Sequence, residues 1–198
     1  MEDNSCAPGS RNRNTFILAA KPLFAARGFE GVTMRDIANR LGVTQAALYY
    51  HFRSKSELYL AVLEKAAAGP IQKIREAAGE KSSPSERMRA GILALLREFA
   101  RDADLSRLLM RTVIDEDQDR GRVLGEKIFA EGFRFFRGEA SALRPGLDPG
   151  ETASAVIAAC TFPYAASGLG THLAGLSPTP PSPDALAAHL MRLFNFGD

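Results

Sequence analysis

Gln45, Ala46, Tyr49 and Tyr50 fall at i, i+1, i+4 and i+5 of a short helical pattern, and together they form a stripe able to read nucleic acid. A carboxamide can pair with the edge of adenine. A methyl can touch thymine, and phenol hydroxyls can donate to phosphate. Leu48 and Phe52, four residues apart on the other side, supply the apolar face that holds such a helix down. Taken alone, the pattern also fits an ordinary bundle in which the two tyrosines are half-buried packing residues.

The flanking residues narrow the choice. Thr33 and Asp36 have the spacing of a capping box, with Asp in place of Glu, which predicts a helix from Met34. Ile37, Ala38 and Leu41 share its inner face, and the small Ala38 lets a second helix approach closely. Gly42 tolerates the positive φ of a tight turn, Val43 plugs the corner, and Thr44 caps the next helix. This is the layout of a helix-turn-helix, whose second helix enters the major groove. Ser54-Lys55-Ser56-Glu57 has the spacing of a further capping box. The free N–H groups of the helix starting there, with Lys55, form a candidate phosphate site.

The stretch TFILAAKPLFAARGFEGVTMRDIANRLGVTQAALYYHFRSKSELYLAVL, roughly residues 15–63, resembles the TetR family of transcriptional regulators. The resemblance lies in an aliphatic-Ala-Ala helix ending in LF…GF, followed in order by TMRDIA, LGV, LYYHF and SK. It implies DNA contacts from Thr33, Arg35, Thr44, Gln45, Ala46, Ala47, Tyr49, Tyr50, His51 and Lys55, with Leu48 and Phe52 in the core. A histidine at a helix end, such as His51, is as often a structural cap as a contact. Pro22 departs from the family pattern. An interior proline removes a helix bond to the Leu18 carbonyl and costs up to roughly 3 kcal/mol, which predicts a kink or a later start to the first helix.

The formal charge of +2 is unevenly spread. Residues 1–68 hold nine Lys/Arg and six Asp/Glu, and residues 69–198 hold sixteen and seventeen. The basic excess accompanies the helix-turn-helix, as phosphate binding requires, and its small size calls for a dimer with two such heads. Cys6 and Cys160 are too few for a disulfide framework and suit a reducing cytoplasm. The polar opening MEDNSCAPGSRNRN lacks an apolar signal-type stretch and predicts a disordered arm over residues 1–13. Thr152–Pro183 contains no Asp, Glu, Lys or Arg. Its Pro163, glycines, His172 and lack of a basic flank favour a helix buried in a subunit interface over a membrane span.

Beyond the head, Gly69-Pro70 is expected to interrupt the helix begun at Lys55, with the same helical character resuming through Ala78. Helix signals then recur at Ser83-Pro84-Ser85-Glu86, at Asp104–Thr112, at Asp117-Gln118-Asp119, at Asp148-Pro149-Gly150-Glu151 and at Ser182-Pro183-Asp184. No strand pattern appears. The expected fold is all-α, with about nine helices: a helix-turn-helix domain over 14–55 and an effector-binding and dimerisation domain over 56–198. The uncharged helix and the last one could pair with their copies across a two-fold axis, which is where the family places its dimer interface. Candidate contacts are Leu169, Leu173, Leu176, Leu186, His189, Leu190 and Leu193, though some must serve the core. Met88, Ile92, Phe99, Met110, Phe129, Phe133, Phe162 and Tyr164 could line a cavity for an apolar or aromatic effector. Arg107 could meet an acidic group on it. The same residues also suit solid core, or solvated surface for Arg107.

The functional expectation is a homodimeric DNA-binding repressor that leaves its operator when a small molecule binds, with an activator or dual regulator as the alternative. An enzyme is disfavoured. The three histidines, His51, His172 and His189, have no metal-ligand spacing, and there is no nucleophile elbow, phosphate-cradling glycine loop or paired cysteine motif. No cofactor, metal or membrane partner is expected.

Overall fold

Asn12 opens the first helix by accepting from the Thr15 amide on Oδ1 at 3.1 Å, and α1 then runs Arg13–Arg27. The computed structural model describes residues 12–114, 118–172, 177 and 179–197. The expected disordered arm therefore lies outside the described residues up to residue 11. Its last member, Arg13, is helical, and its guanidinium rests 4.6 Å above the Phe52 ring. The chain divides into two compact units, Met1–Val62 and Leu63–Asp198.

In the first unit α1 is followed by α2 (Met34–Leu41), α3 (Gln45–His51) and the start of α4 (Lys55–Gly79). Phe16, Phe24, Ile37, Leu48, Phe52 and Tyr59 form its interior. Phe24 meets the Tyr59 ring edge-on at 4.9 Å, and Phe16 meets Phe52 at 6.5 Å. Against expectation, α1 passes through Pro22 without a later start. Phe16, Ile17 and Ala20 before the proline and Leu23, Phe24 and Ala25 after it are all buried. Burial of that many side chains outweighs the roughly 3 kcal/mol cost of one interior proline.

The same correction applies to Gly69-Pro70, which lies inside the unbroken α4. Ala67, Ile74 and Ala78 are buried on both sides of Pro70 and hold the helix together. The second unit continues with α5 (Pro84–Arg101) and α6 (Ala103–Ile114). Next come α7 (Gln118–Val123), a π-helical turn over Leu124–Phe129 and α8 (Ala130–Leu143), which follow one another without a break. The capping signal expected at Asp117–Asp119 falls outside the described side chains. The remaining elements are α9 (Pro149–Ala165), a 3₁₀ turn over Ser167–Thr171 and α10 (Pro183–Leu193). Counting the run from 118 to 143 as one helix, the described residues form nine helices and no strand.

The predicted caps are local and they form. Ser83, Asp148 and Ser182 each accept from the backbone N–H three residues on. The core of the second unit joins Met88, Ile92, Leu96 and Phe99 of α5 to Phe136 and Ala140 of α8, Val156 and Cys160 of α9, and Leu190 of α10. A Cβ added at Gly91 would intrude on the Phe135 ring, so α5 and α8 approach as closely as they do only because this residue has no side chain. Arg87 grips Glu139 with two hydrogen bonds of 2.8 and 3.0 Å across the same pair.

Candidate nucleic-acid interface and effector cavity

The reciprocal box at the start of α2 is complete. The Asp36 amide donates to Thr33 Oγ1 at 3.1 Å, while Asp36 Oδ2 accepts from the Thr33 amide at 2.8 Å and its hydroxyl at 2.7 Å. The Thr33 hydroxyl, then its backbone amide, hold the Asp36 carboxyl below the usual carboxylate range. At the other end of α2, Gly42 sits in the left-handed region at φ 62°. The Val43 amide reaches back to the Ala38 carbonyl at 3.0 Å, and this closes the helix and turns the chain. Thr44 then caps α3 by accepting from the Ala47 amide at 3.2 Å.

This geometry turns α3 so that Leu48 is fully buried while Gln45, Ala46, Ala47, Tyr49 and Tyr50 are exposed. Tyr50 is 86 % exposed and Tyr49 49 %, unusual values for aromatic side chains with nothing to cover them. Thr33, Arg35 and Thr44 are also exposed. His51 is half-buried, its ring 5.1 Å from Phe16 and 5.2 Å from Tyr50, so it props the end of α3 as well as bordering the stripe.

Lys55 also has a role within the protein. Its Nζ donates to the Phe29 carbonyl at 2.9 Å, lies 3.7 Å from Glu30 and stands over the Phe29 ring. One of its three N–H donors is thus used internally. One amide of the α4 N-terminus is capped as well. Ser54 Oγ accepts from the Glu57 amide at 3.1 Å, and Glu57 accepts from the Arg53 amide at 2.8 Å. Arg53 is exposed beside this helix start and was absent from the sequence-derived set. Its position next to the cap was the available signal.

The second unit has an apolar cavity of about 360 Å³, partly open to solvent, lined by α4, α5, α6, the π-helical turn, α8 and α9. Phe99, Met110, Phe129 and Phe133 of the expected set line it. Met88 and Ile92 do not: they are buried in the core as Phe99 is, but only Leu95 and Phe99 of that helix turn toward the space. Phe162 is 55 % exposed, and Tyr164 is buried with its hydroxyl donating to the Pro181 carbonyl at 3.2 Å. Arg107 is exposed, 3.9 Å from Asp104. Sequence reading missed Ala67, Pro70, Ile71 and Ile74 of α4, a stretch in which it expected an interruption at Gly69-Pro70. The apolar spacing Ala67–Ile71–Ile74–Ala78 could have found them. Ser154 and Thr161 supply the side-chain hydroxyls of the wall, and Thr161 donates to the Ile157 carbonyl.

Of the expected dimer contacts, Leu169, His189 and Leu193 are exposed and Leu186 is half-buried. Leu190 belongs instead to the core, at 3 % exposure. Leu173 and Leu176 lie outside the described residues. Among the described residues no helix is long and apolar enough to cross a membrane.

Residues 16–62 match the family described as bacterial regulatory proteins, tetR family. The chain is 30% identical over 158 residues to the nucleoid occlusion factor SlmA of Escherichia coli, covering 76% of this chain and 80% of SlmA. It is 34% identical over 102 residues to the HTH-type transcriptional activator FasR of Mycolicibacterium smegmatis, a match spanning 52% of this chain and about half (47%) of FasR. The crystal structure of the regulator FadR from Bacillus subtilis in complex with stearoyl-CoA superposes with a TM-score of 0.76 at 16% identity, over 92% of this chain and 97% of FadR, which establishes a shared fold.

Proposed function

Since the chain belongs to the TetR family of bacterial regulatory proteins, and is therefore a DNA-binding regulator, we propose that it is a homodimeric repressor released from its operator by a small apolar effector. The observation that carries the DNA half is the bare stripe of Gln45, Tyr49 and Tyr50 on a helix whose opposite face is anchored by Leu48. Thr33, Arg35, Thr44, Ala46, Ala47, His51 and Lys55 complete the proposed contact surface. Two such helices enter successive major grooves about 34 Å apart. The dimer is built on the outer carbon of Phe162, Leu169 and Leu193, which a monomer would leave in water.

The apolar cavity supports the effector half. FadR's stearoyl-CoA complex supports an acyl-CoA as the class. The effector acts only through different affinities for the DNA-binding and released states. FasR, an activator, keeps activation as the second reading.

A fluorescent duplex selected by the protein from random sequence provides the test. Its anisotropy should rise with protein and fall when an acyl-CoA is added. No duplex binding at low ionic strength would overturn the operator reading. Duplex retained at saturating concentrations of every acyl-CoA tried would overturn the effector reading. Deleting the gene and measuring transcription from the bound promoter separates repressor from activator.

A further inference from the structure

A second space borders the apolar cavity. This groove, about 380 Å³, is lined on α4 by Glu64, Ala68, Gln72 and Arg75 and on the facing run by Lys127, Ile128 and Glu131. Ala67 and Ile71 line both spaces, so their side chains form the partition between the two. Opposite Ile71 stands Gly132, where an added Cβ would already lie 3.9 Å from Ile71 Cγ1. A glycine here leaves a gap that a larger residue would fill.

The two spaces differ in chemistry. The side chains of the cavity wall are apolar apart from two hydroxyls, while the groove carries the charges. Arg75 is paired with Glu131, the residue next to Gly132. Lys127 has no ion-pair partner among the described residues and precedes Glu131 by four positions. Glu64 stands eleven residues before Arg75, which at 1.5 Å per residue puts it about 16 Å away along the helix.

Resting on the effector reading above, we propose that this groove is the head-group site of an amphipathic effector. The chain fills the cavity, and an anionic head crosses the Ile71–Gly132 threshold to bind Arg75. The anion takes the place of the Glu131 carboxylate on the guanidinium, and Glu131 passes to Lys127, one turn away on its own helical run. Each of the two cations then faces one anion, Arg75 the bound head and Lys127 the Glu131 carboxylate. A dry apolar cavity of about 150 Å³ holds benzene, so the same carbon density gives a chain of about 14 carbons here.

Calorimetric titration of the full chain with dodecanoate, dodecanoyl-CoA, dodecanol and dodecylamine tests this. Either anionic probe should bind at least tenfold tighter than dodecanol, as expected for one charged hydrogen-bond partner. Whichever of the two is tighter tells a free carboxylate from the phosphates of a CoA ester. Arg75→Gln should abolish the anionic preference and leave dodecanol affinity unchanged. Arg75 is 70% exposed on its side chain, so the variant folds, and retained duplex binding checks this. Gly132→Leu should weaken all probes that bind the wild type. Equal affinity for dodecanol, a preference for the amine, or an Arg75→Gln variant that keeps the anionic preference would overturn the head-group site while leaving the apolar effector reading standing. Failure of all four probes would overturn both.

Discussion

Lys55 Nζ donates to the Phe29 carbonyl at 2.9 Å and stands 4.1 Å above the Phe29 ring, so the lysine expected at phosphate is first a tie between the start of α4 and the turn after α1. Glu30, its carboxylate neighbour, is 85% exposed, so solvent screening limits the energy of that ion pair. Lys55→Ala should lower stability by about 1 kcal/mol, read from the urea midpoint, in addition to weakening duplex binding. An unchanged midpoint would show that the tie contributes nothing in solution.

Tyr50 offers a cleaner test of the DNA surface. At 86 % exposure it has little packing to lose. Tyr50→Ala should change stability by no more than about 0.5 kcal/mol and weaken operator affinity about tenfold. Thermal unfolding and duplex titration on the same sample would separate the two effects.

Gly91 permits the contact between α5 and α8. Gly91→Ala places a methyl against the Phe135 ring and should destabilise the chain by about 1–3 kcal/mol, the usual cost of overpacking. Pairing it with Phe135→Leu should recover part of the loss if the ring is the obstacle. A double variant no more stable than the single one would count against that explanation.

Burial pushes the Cys160 thiol up to about 12, well above its ordinary value of 9.0. The neutral thiol is therefore favoured in the folded chain. Its contribution is whole below pH 9 and declines as pH rises from 9 toward 12. In a Cys6→Ser background, a soluble disulfide reagent at pH 8 should label Cys160 only after denaturant unfolds the chain. Labelling at the rate of a free thiol under native conditions would show that the site opens.

The helix-turn-helix was legible because its determinants act over three to five residues. Thr33 with Asp36, Gly42 with Val43, and Thr44 with Ala47 each satisfy backbone groups one turn away, and no distant residue is needed to predict them. Leu48 and Tyr50 then separate inside from outside by helical period alone. The continuation of α1 and α4 through their prolines was not legible for the opposite reason. The local penalty at Pro22 and Pro70 is real, but it is offset by buried neighbours whose packing partners come from other helices.

The choice between cavity wall and solid core also belongs to the tertiary structure. Met88 and Phe99 look alike on paper and both are buried, yet only Phe99 also borders the cavity. That difference depends on the angular phase of each helix against its neighbours. The π-helical turn over Leu124–Phe129 resets that phase at Phe129 and ahead of Phe133. By itself the sequence determined the helices, their caps and the reading face, all written in short-range chemistry. Only the packed chain decided where α1 and α4 continue and where space is left between helices, because these depend on burial summed over residues far apart in sequence.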